Sequence, residues 1–364
     1  MTPLADTASP ELAPSPASGR LGAIRIWLFA VAGFVLAMVI VGGATRLTGS
    51  GLSITEWQPI LGTVPPLGEQ AWQDAFEKYR HIPQYELVNP GMTLEQFKGI
   101  YWWEWAHRLL GRLTGFVFLI PFVYFLWRRA IPRPFILPVA ALFLLGGAQG
   151  ALGWFMVKSG LSDRVEVSQY RLAAHLALAT AIAAWAFWLA LTIRKDAGEE
   201  GKPGASAPAG AAEAGAFILA GLVYVQIVAG ALVAGLRAGH ASNTWPLMNG
   251  EIVPPGLDVY SPWYMNLFEN QLAVQFTHRI LAYCIALYAA AFALAIWRRP
   301  RLRLPAAAIG IAILAQIALG VATVVYEVPL VLALAHQANA MIVLALALWA
   351  VRRMALGDAR GGWE

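Results

Sequence analysis

Residues 101–127 read YWWEWAHRLLGRLTGFVFLIPFVYFLW. From Ala106 onward the stretch is mostly apolar and long enough to cross the ~30 Å hydrocarbon core of a bilayer. Near its start it carries His107. A polar side chain inside such a segment is costly and by default marks a site. The arrangement returns around His175 (RLAAHLALA), His278 (QFTHRILAY) and His336 (ALAHQANAM). These are the second, fourth, sixth and eighth of eight apolar spans, near 24–45, 106–127, 134–156, 170–193, 214–236, 275–297, 304–325 and 330–351.

Composition supports the membrane reading. The 364 residues are 59% hydrophobic and 13% charged, with mean hydropathy +0.58; a soluble domain is about 25% charged. The net charge of +5 and pI near 9.4 raise nucleic acid as a partner, but the basic residues lie between spans or after them. Arg128, Arg129 and Arg133 follow span two, and Arg194, Lys195 and Lys202 follow span four. Arg298, Arg299, Arg301 and Arg303 fill the loop after span six, and Arg352 and Arg353 follow span eight. The positive-inside rule puts these loops and both termini in the cytoplasm. Loops 46–105 and 237–274 then face outward, and all four histidines lie towards the outer face. The first apolar stretch is too long for a signal-peptide core and lacks a convincing cleavage site, so it is read as retained. With one cysteine, Cys284, no intrachain disulfide forms; a small buried hydrophobe is favoured there over a ligand.

The expected fold is all-α: eight transmembrane helices as two tandem pseudo-symmetric four-helix bundles. Span one exits through VGGATRLTGSGLSITEWQPILGTVPPL and span five through VAGLRAGHASNTWPLMNGEIVPPGL. HRLLGRL in span two matches HRILAYC in span six, and QGALG from Gln149 matches QIALG from Gln316. Matches in the same order imply an internal duplication. The divisions are a disordered tail at 1–23, a first bundle at 24–193, a linker at 194–213, a second bundle at 214–352 and a tail at 353–364. The long loop 46–105 carries an amphipathic helix over 69–80, with Trp72, Phe76 and Tyr79 at helical spacing, and a further helix beginning at Thr93. Interfacial anchoring and a lid are both open for it.

If spans two and four face each other in one bundle, and six and eight in the other, each histidine pair can hold one heme iron. No cysteine cluster or close His/carboxylate group points to structural zinc. Arg108 and Arg279 directly follow the first histidine of each pair; they are candidate contacts for heme propionates, with snorkelling to lipid phosphate as the other reading. Arg46 and Arg237 carry the same two readings. Glu104 lies three residues before His107, where the second half has Gln275. It is a candidate for proton handling or charge stabilisation, or an interfacial carboxylate paired with Arg108. Helix–helix hydrogen bonding is favoured for Gln149 and Gln316 over contact with a ligating histidine. His81 and His240 are read as surface residues.

The stretches GGATRLTGSGLSITEW (42–57), GTVPPL (62–67), WWEWAHRLLGR (102–112), NTWPLMNG (243–250) and FTHRILAY (276–283), with the His175 and His336 helices, resemble the heme A synthase family. Lacking paired cysteines in the first outer loop, the chain is similar to the proteobacterial and mitochondrial subgroup. The resemblance implies an inner-membrane oxidoreductase that converts heme O to heme A, methyl to formyl, for heme–copper oxidase assembly. It implies heme b held by His278 and His336, the substrate heme held by His107 and His175, and a functional glutamate at Glu104. Heme O synthase (a farnesyltransferase), the oxidase assembly machinery and an electron carrier are the implied partners; membrane lipid surrounds the chain, and nucleic acid is not expected. Two histidines on the substrate iron leave no open position for O2. Either one ligand leaves, or the methyl carbon loses electrons and water traps the cation. A di-heme electron-transfer cytochrome and a heme carrier are the alternatives.

Overall fold

The computed structural model describes residues 16–58, 61–161, 165–193 and 210–358. Most of the expected first tail, the linker from Arg194 through Lys195 and Lys202, and the last residues of the second tail lie outside them. Eight helices among the described residues are long and apolar enough to span a bilayer. They are span one (Pro16–Leu47), two (Leu94–Trp127), three (Arg133–Lys158), four (Gln169–Thr192), five (Ala211–Gly235), six (Gln271–Trp297), seven (Arg303–Val325) and eight (Leu330–Asp358).

Spans one to four close into a ring in which one packs on two and four, and three packs on two and four. Five to eight repeat the arrangement. The even-numbered spans therefore sit diagonally in each ring. Spans one, four, five and eight join the two rings through one continuous apolar core that includes Val31, Val35, Ala186, Leu219, Val343 and Ala347. Small residues let these backbones approach closely, and side-chain amides add bonds across the seam: Gln337 Nε2 donates to the Val39 carbonyl at 2.7 Å.

Span two starts about three turns earlier than its hydropathy indicates. Glu95, Gln96, Lys98 and Glu104 dilute the apolar signal there, but Thr93 nucleates the helix with a capping box: its hydroxyl accepts from the Gln96 N–H while the Gln96 side chain accepts from the Thr93 N–H. Asn270 caps span six in the same region of the other ring, accepting from the amides of Leu272 and Ala273.

The extension of span two has a purpose in packing. The expected helix over 69–80 forms as Glu69–Arg80, and its aromatic face lies on the extension. Trp72 meets Tyr101 edge-on at 5.0 Å, and Phe76 and Tyr79 lie 5.1 and 5.2 Å from Phe97. With Leu52, Ile82 and Val167 these residues form a second small core. Tyr79 is fully buried, its hydroxyl donating to Gln84 at 3.1 Å and accepting from Asn89 at 2.7 Å. Burial pushes its phenol above the ordinary pKa range, against the opposing Asn89 contact and with a smaller push from the Glu104 charge.

One expectation is overturned. Cys284 is exposed on the outside of the bundle rather than buried. Span six is apolar all round, so composition there does not distinguish an inward from an outward position.

Candidate functional site

All four histidines lie one to four turns from the start of their spans, at the same end of the bundle. His107 and His175 are close enough across the first ring to interact electrostatically, and His278 and His336 do the same across the second. Each is packed against a glycine of the preceding odd span. A Cβ on Gly42 would stand 3.2 Å from His107 Nε2; on Gly153, 3.0 Å from His175 Cε1; on Gly230, 3.2 Å from His278 Cε1; on Gly320, 2.8 Å from His336 Cε1. The imidazoles occupy space that any other residue would fill.

Three of the rings also meet a glutamine four residues before that glycine. Gln149 Nε2 lies 3.2 and 3.3 Å from the two ring nitrogens of His175 and donates to that residue's carbonyl at 3.0 Å. Gln226 stands in the same way to His278, at 3.1 and 3.3 Å with a 3.0 Å bond to the carbonyl, and Gln316 to His336, at 3.2 and 3.4 Å with a 3.1 Å bond. For Gln149 and Gln316 the expected helix–helix hydrogen bond is present, to the histidine carbonyl, and the contact with the histidine ring, disfavoured from sequence, is present with it. Gln226 was missed, although Q-x-x-x-G occurs in three of the four odd spans and was visible in the sequence.

This donor set suits heme. Two imidazoles on diagonal helices of a four-helix ring, each seated on a glycine of a neighbouring span, are a donor set that can hold heme iron from both sides. An imidazole that ligates through Nε2 carries its proton on Nδ1 and requires an acceptor there. Gln149 and Gln226 each keep a buried Oε1 without a hydrogen-bond partner. Gln316 Oε1 instead accepts from Asn339 at 2.8 Å. No group of three or more His, Cys, Asp or Glu side chains able to hold a bare ion occurs among the described residues.

Glu104 is 2% exposed and held by four donors. Its Oε2 accepts from Ser53 Oγ and the Ile54 N–H, both at 2.7 Å; its Oε1 accepts from Arg108 Nη2 at 2.7 Å and Nε at 3.1 Å. Arg108 also donates to the carbonyls of Ile54 and Glu56. The guanidinium thus ties loop 53–56 down beside the histidine. Arg279 does the same in the other ring, donating to the carbonyls of Ser242 and Thr244 at 2.9 and 2.8 Å. Gln275 takes the place of Glu104, donates to Ser242 and Gly239, and leaves its own Oε1 buried and unpartnered. The two rings therefore share a frame, and at this position they differ by one buried negative charge.

Arg46 and Arg237 meet at Glu166, a residue that sequence reading missed. Arg46 Nη2 lies 3.0 Å from Glu166 Oε2 and donates to the Ala234 carbonyl at 2.9 Å, and Arg237 pairs with Glu166 Oε1. This cluster crosses from one ring to the other at the histidine end. His81 and His240 are exposed, as expected.

The chain is similar to known proteins over most of its length. The family model described as "Cytochrome oxidase assembly protein" matches residues 25–348. The protein named heme A synthase of Nitrosospira multiformis is 49% identical over 337 residues, covering 90% of this chain and 92% of its own. The like-named protein of Rhodopseudomonas palustris is 51% identical over 343 residues, covering 92% and 90%. That of Parvibaculum lavamentivorans is 50% identical over 338 residues, covering 92% and 94%.

Proposed function

The chain belongs to the cytochrome oxidase assembly protein family, and we propose that it is the membrane oxidoreductase that converts heme O to heme A. The reaction takes one porphyrin methyl group to a formyl group. Written as a half-reaction, the methyl group and one water molecule give the formyl group, four protons and four electrons.

The observation that carries the division of labour is the Glu104/Gln275 difference between two rings built on the same frame of histidines, glycines and arginines. His107 and His175 hold the substrate heme beside the only one of these two positions that is charged. His278 and His336 hold heme b, which when bound supplies a one-electron carrier. Glu104 acts as a fixed negative pole. Its four donors occupy the carboxylate and hold it in place, so it stabilises positive charge building up on the substrate ring without having to move. Arg108 and Arg279 keep the loops closed over the two sites, and the glycines keep the imidazoles seated.

The protein lies in the bacterial inner membrane with both termini cytoplasmic and the histidines towards the outer face. The basic residues following the even spans, at the end opposite the histidines, support this orientation. Heme O arrives from the farnesyltransferase that makes it, and heme A passes to the oxidase assembly machinery.

The test is to purify wild type and Glu104→Gln from cells that make heme O and to identify the extracted hemes. Heme B with heme O or A in the wild type, and heme O or a hydroxylated precursor accumulating in the variant, supports the reading. Heme B alone, in two equivalents, in both proteins would replace it with an electron-transfer cytochrome.

A further inference from the structure

Three of the four histidines carry a glutamine; the fourth does not. At the place in span one that corresponds to Gln149, Gln226 and Gln316, four residues before Gly42, stands Met38. Its side chain faces span two: the methyl carbon lies 3.5 Å from where a Cβ on Gly111, one turn past His107, would be. It therefore occupies the glutamine's place against the helix that bears His107, and it has no amide to offer the ring or the carbonyl.

The imidazole itself differs to match. The Cβ positions built on Gly153, Gly230 and Gly320 each lie nearest to the Cε1 of their histidine and next nearest to Nδ1. The Cβ position on Gly42 lies nearest to Nε2 of His107, then Cε1, then Cδ2. His107 is turned about its ring relative to the other three. A glutamine bonded both to the ring edge and to the carbonyl of the same residue opposes rotation of that ring. A thioether, flexible and apolar, does not.

We infer that Met38 is a positioning residue that makes His107 the exchangeable ligand of the substrate heme, while His175, His278 and His336 are fixed. This rests on the reading of His107 and His175 as the substrate-heme ligands. It gives the two pairs different chemistry. The pair His278/His336, with a glutamine on each member, holds its heme permanently. The pair His107/His175, with one glutamine between them, grips through His175 and lets go through His107. A site that must take in heme O and give up heme A needs one side that opens.

The test uses the full-length protein, purified with its hemes and reduced, and carbon monoxide as the probe of an iron that has lost a ligand. The rate of CO binding is followed by visible spectroscopy in wild type, Met38→Gln and Gln149→Met. The band of the formyl-bearing heme separates the two sites. Wild type is expected to bind CO at the substrate site only. Met38→Gln is expected to slow that binding by about 10-fold or more, and Gln149→Met to speed it by a similar factor. A rate within twofold of wild type in both variants overturns the inference. Should Met38→Gln not assemble, Gln149→Met alone carries the decision, because an unchanged CO rate there is enough to reject a role for the amide. His107→Ala and His175→Ala separate this failure from failure of the underlying reading. If each alters the substrate-site spectrum while the amide variants leave CO binding untouched, only the inference falls. If neither alters it, the ligand assignment falls as well.

Discussion

A Cβ placed on Gly320 would stand 2.8 Å from Cε1 of His336, closer than side chains approach one another. The same relationship links Gly153 with His175 at 3.0 Å, and Gly230 with His278 at 3.2 Å. A histidine thus keeps its seat only while the facing helix carries no side chain there, and the four seats differ in tightness.

Gly320→Ala is accordingly expected to remove heme from the second ring. Overfilling a packed site costs about 1–3 kcal/mol, and here the strain falls on the imidazole rather than on a flexible chain end. Gly153→Ala should act in the same direction on the first ring, and Gly230→Ala should be the mildest of the three. Heme content per protein, read by pyridine hemochrome on the purified variants, checks the order. Full heme content in Gly320→Ala would show that His336 can move aside without loss.

Replacing Glu104 by glutamine makes the first ring resemble the second. The amide can still accept from Ser53 or Ile54, so the loop should stay closed and heme should stay bound. The negative pole is gone, however, and turnover is expected to fall by about 10²–10³-fold. Glu104→Ala should behave worse on both counts. It takes from the half-buried Arg108 its carboxylate partner while leaving the Ile54 and Glu56 carbonyls, a loss of about 1.5–3 kcal/mol for a charged hydrogen bond. Product ratios measured beside heme content separate the two effects: a Glu104→Gln protein with full heme and normal heme A yield would remove the carboxylate from the chemistry.

How far the sequence could be read follows from where each signal lies. The eight spans are legible because membrane helices are long apolar runs, and the histidines because they interrupt such runs. Glu104 stands out only against Gln275, through the internal repeat. The helix expected to begin at Thr93 forms and runs unbroken into span two; hydropathy alone starts the span later because Glu95, Gln96, Lys98 and Glu104 interrupt its first turns, which face the small aromatic core. Gln226 was overlooked beside Gln149 and Gln316 although the same spacing to glycine marks all three. Glu166 has no such mark, since it sits in a short loop without periodicity and its partners Arg46 and Arg237 are distant in sequence. Cys284 was misjudged because a helix apolar on every side carries no record of which side faces lipid.

The Glu166 cluster carries a separate prediction. With Glu166 neutralised, two guanidiniums face each other across the seam between the rings, and Arg46 is only 18% exposed in its side chain. Glu166→Gln should therefore lower the thermal midpoint of the detergent-solubilised protein by about 2–4 °C for each kcal/mol lost. Heme content measured before heating should be unchanged, because no histidine touches the cluster. Raising the salt concentration should restore part of the midpoint, since the Arg237 side chain is 53% exposed and its repulsion of Arg46 is open to screening. A midpoint equal to wild type would mean that the apolar seam alone holds the rings together.

The small aromatic core over the first ring can be tested by itself. Phe97 is fully buried between Phe76, Tyr79 and Tyr101, and truncating a buried phenylalanine costs about 3–5 kcal/mol. The core it belongs to joins helix Glu69–Arg80 and the start of span two to Leu52, Ile82 and Val167, all in the first half of the chain. Phe97→Ala should therefore open the segment between spans one and two to limited proteolysis while the rest of the chain stays resistant. The heme at His278 and His336 should be retained, because that ring shares none of these contacts. The substrate site lies nearer, with Tyr101 three residues before Glu104 on the same helix, so heme O retention should fall with the protease resistance of the segment. Proteolysis and heme extraction on one sample distinguish a cover that seals the substrate site from a membrane-surface anchor: loss of both together supports the cover, and protease sensitivity with heme O fully retained supports the anchor.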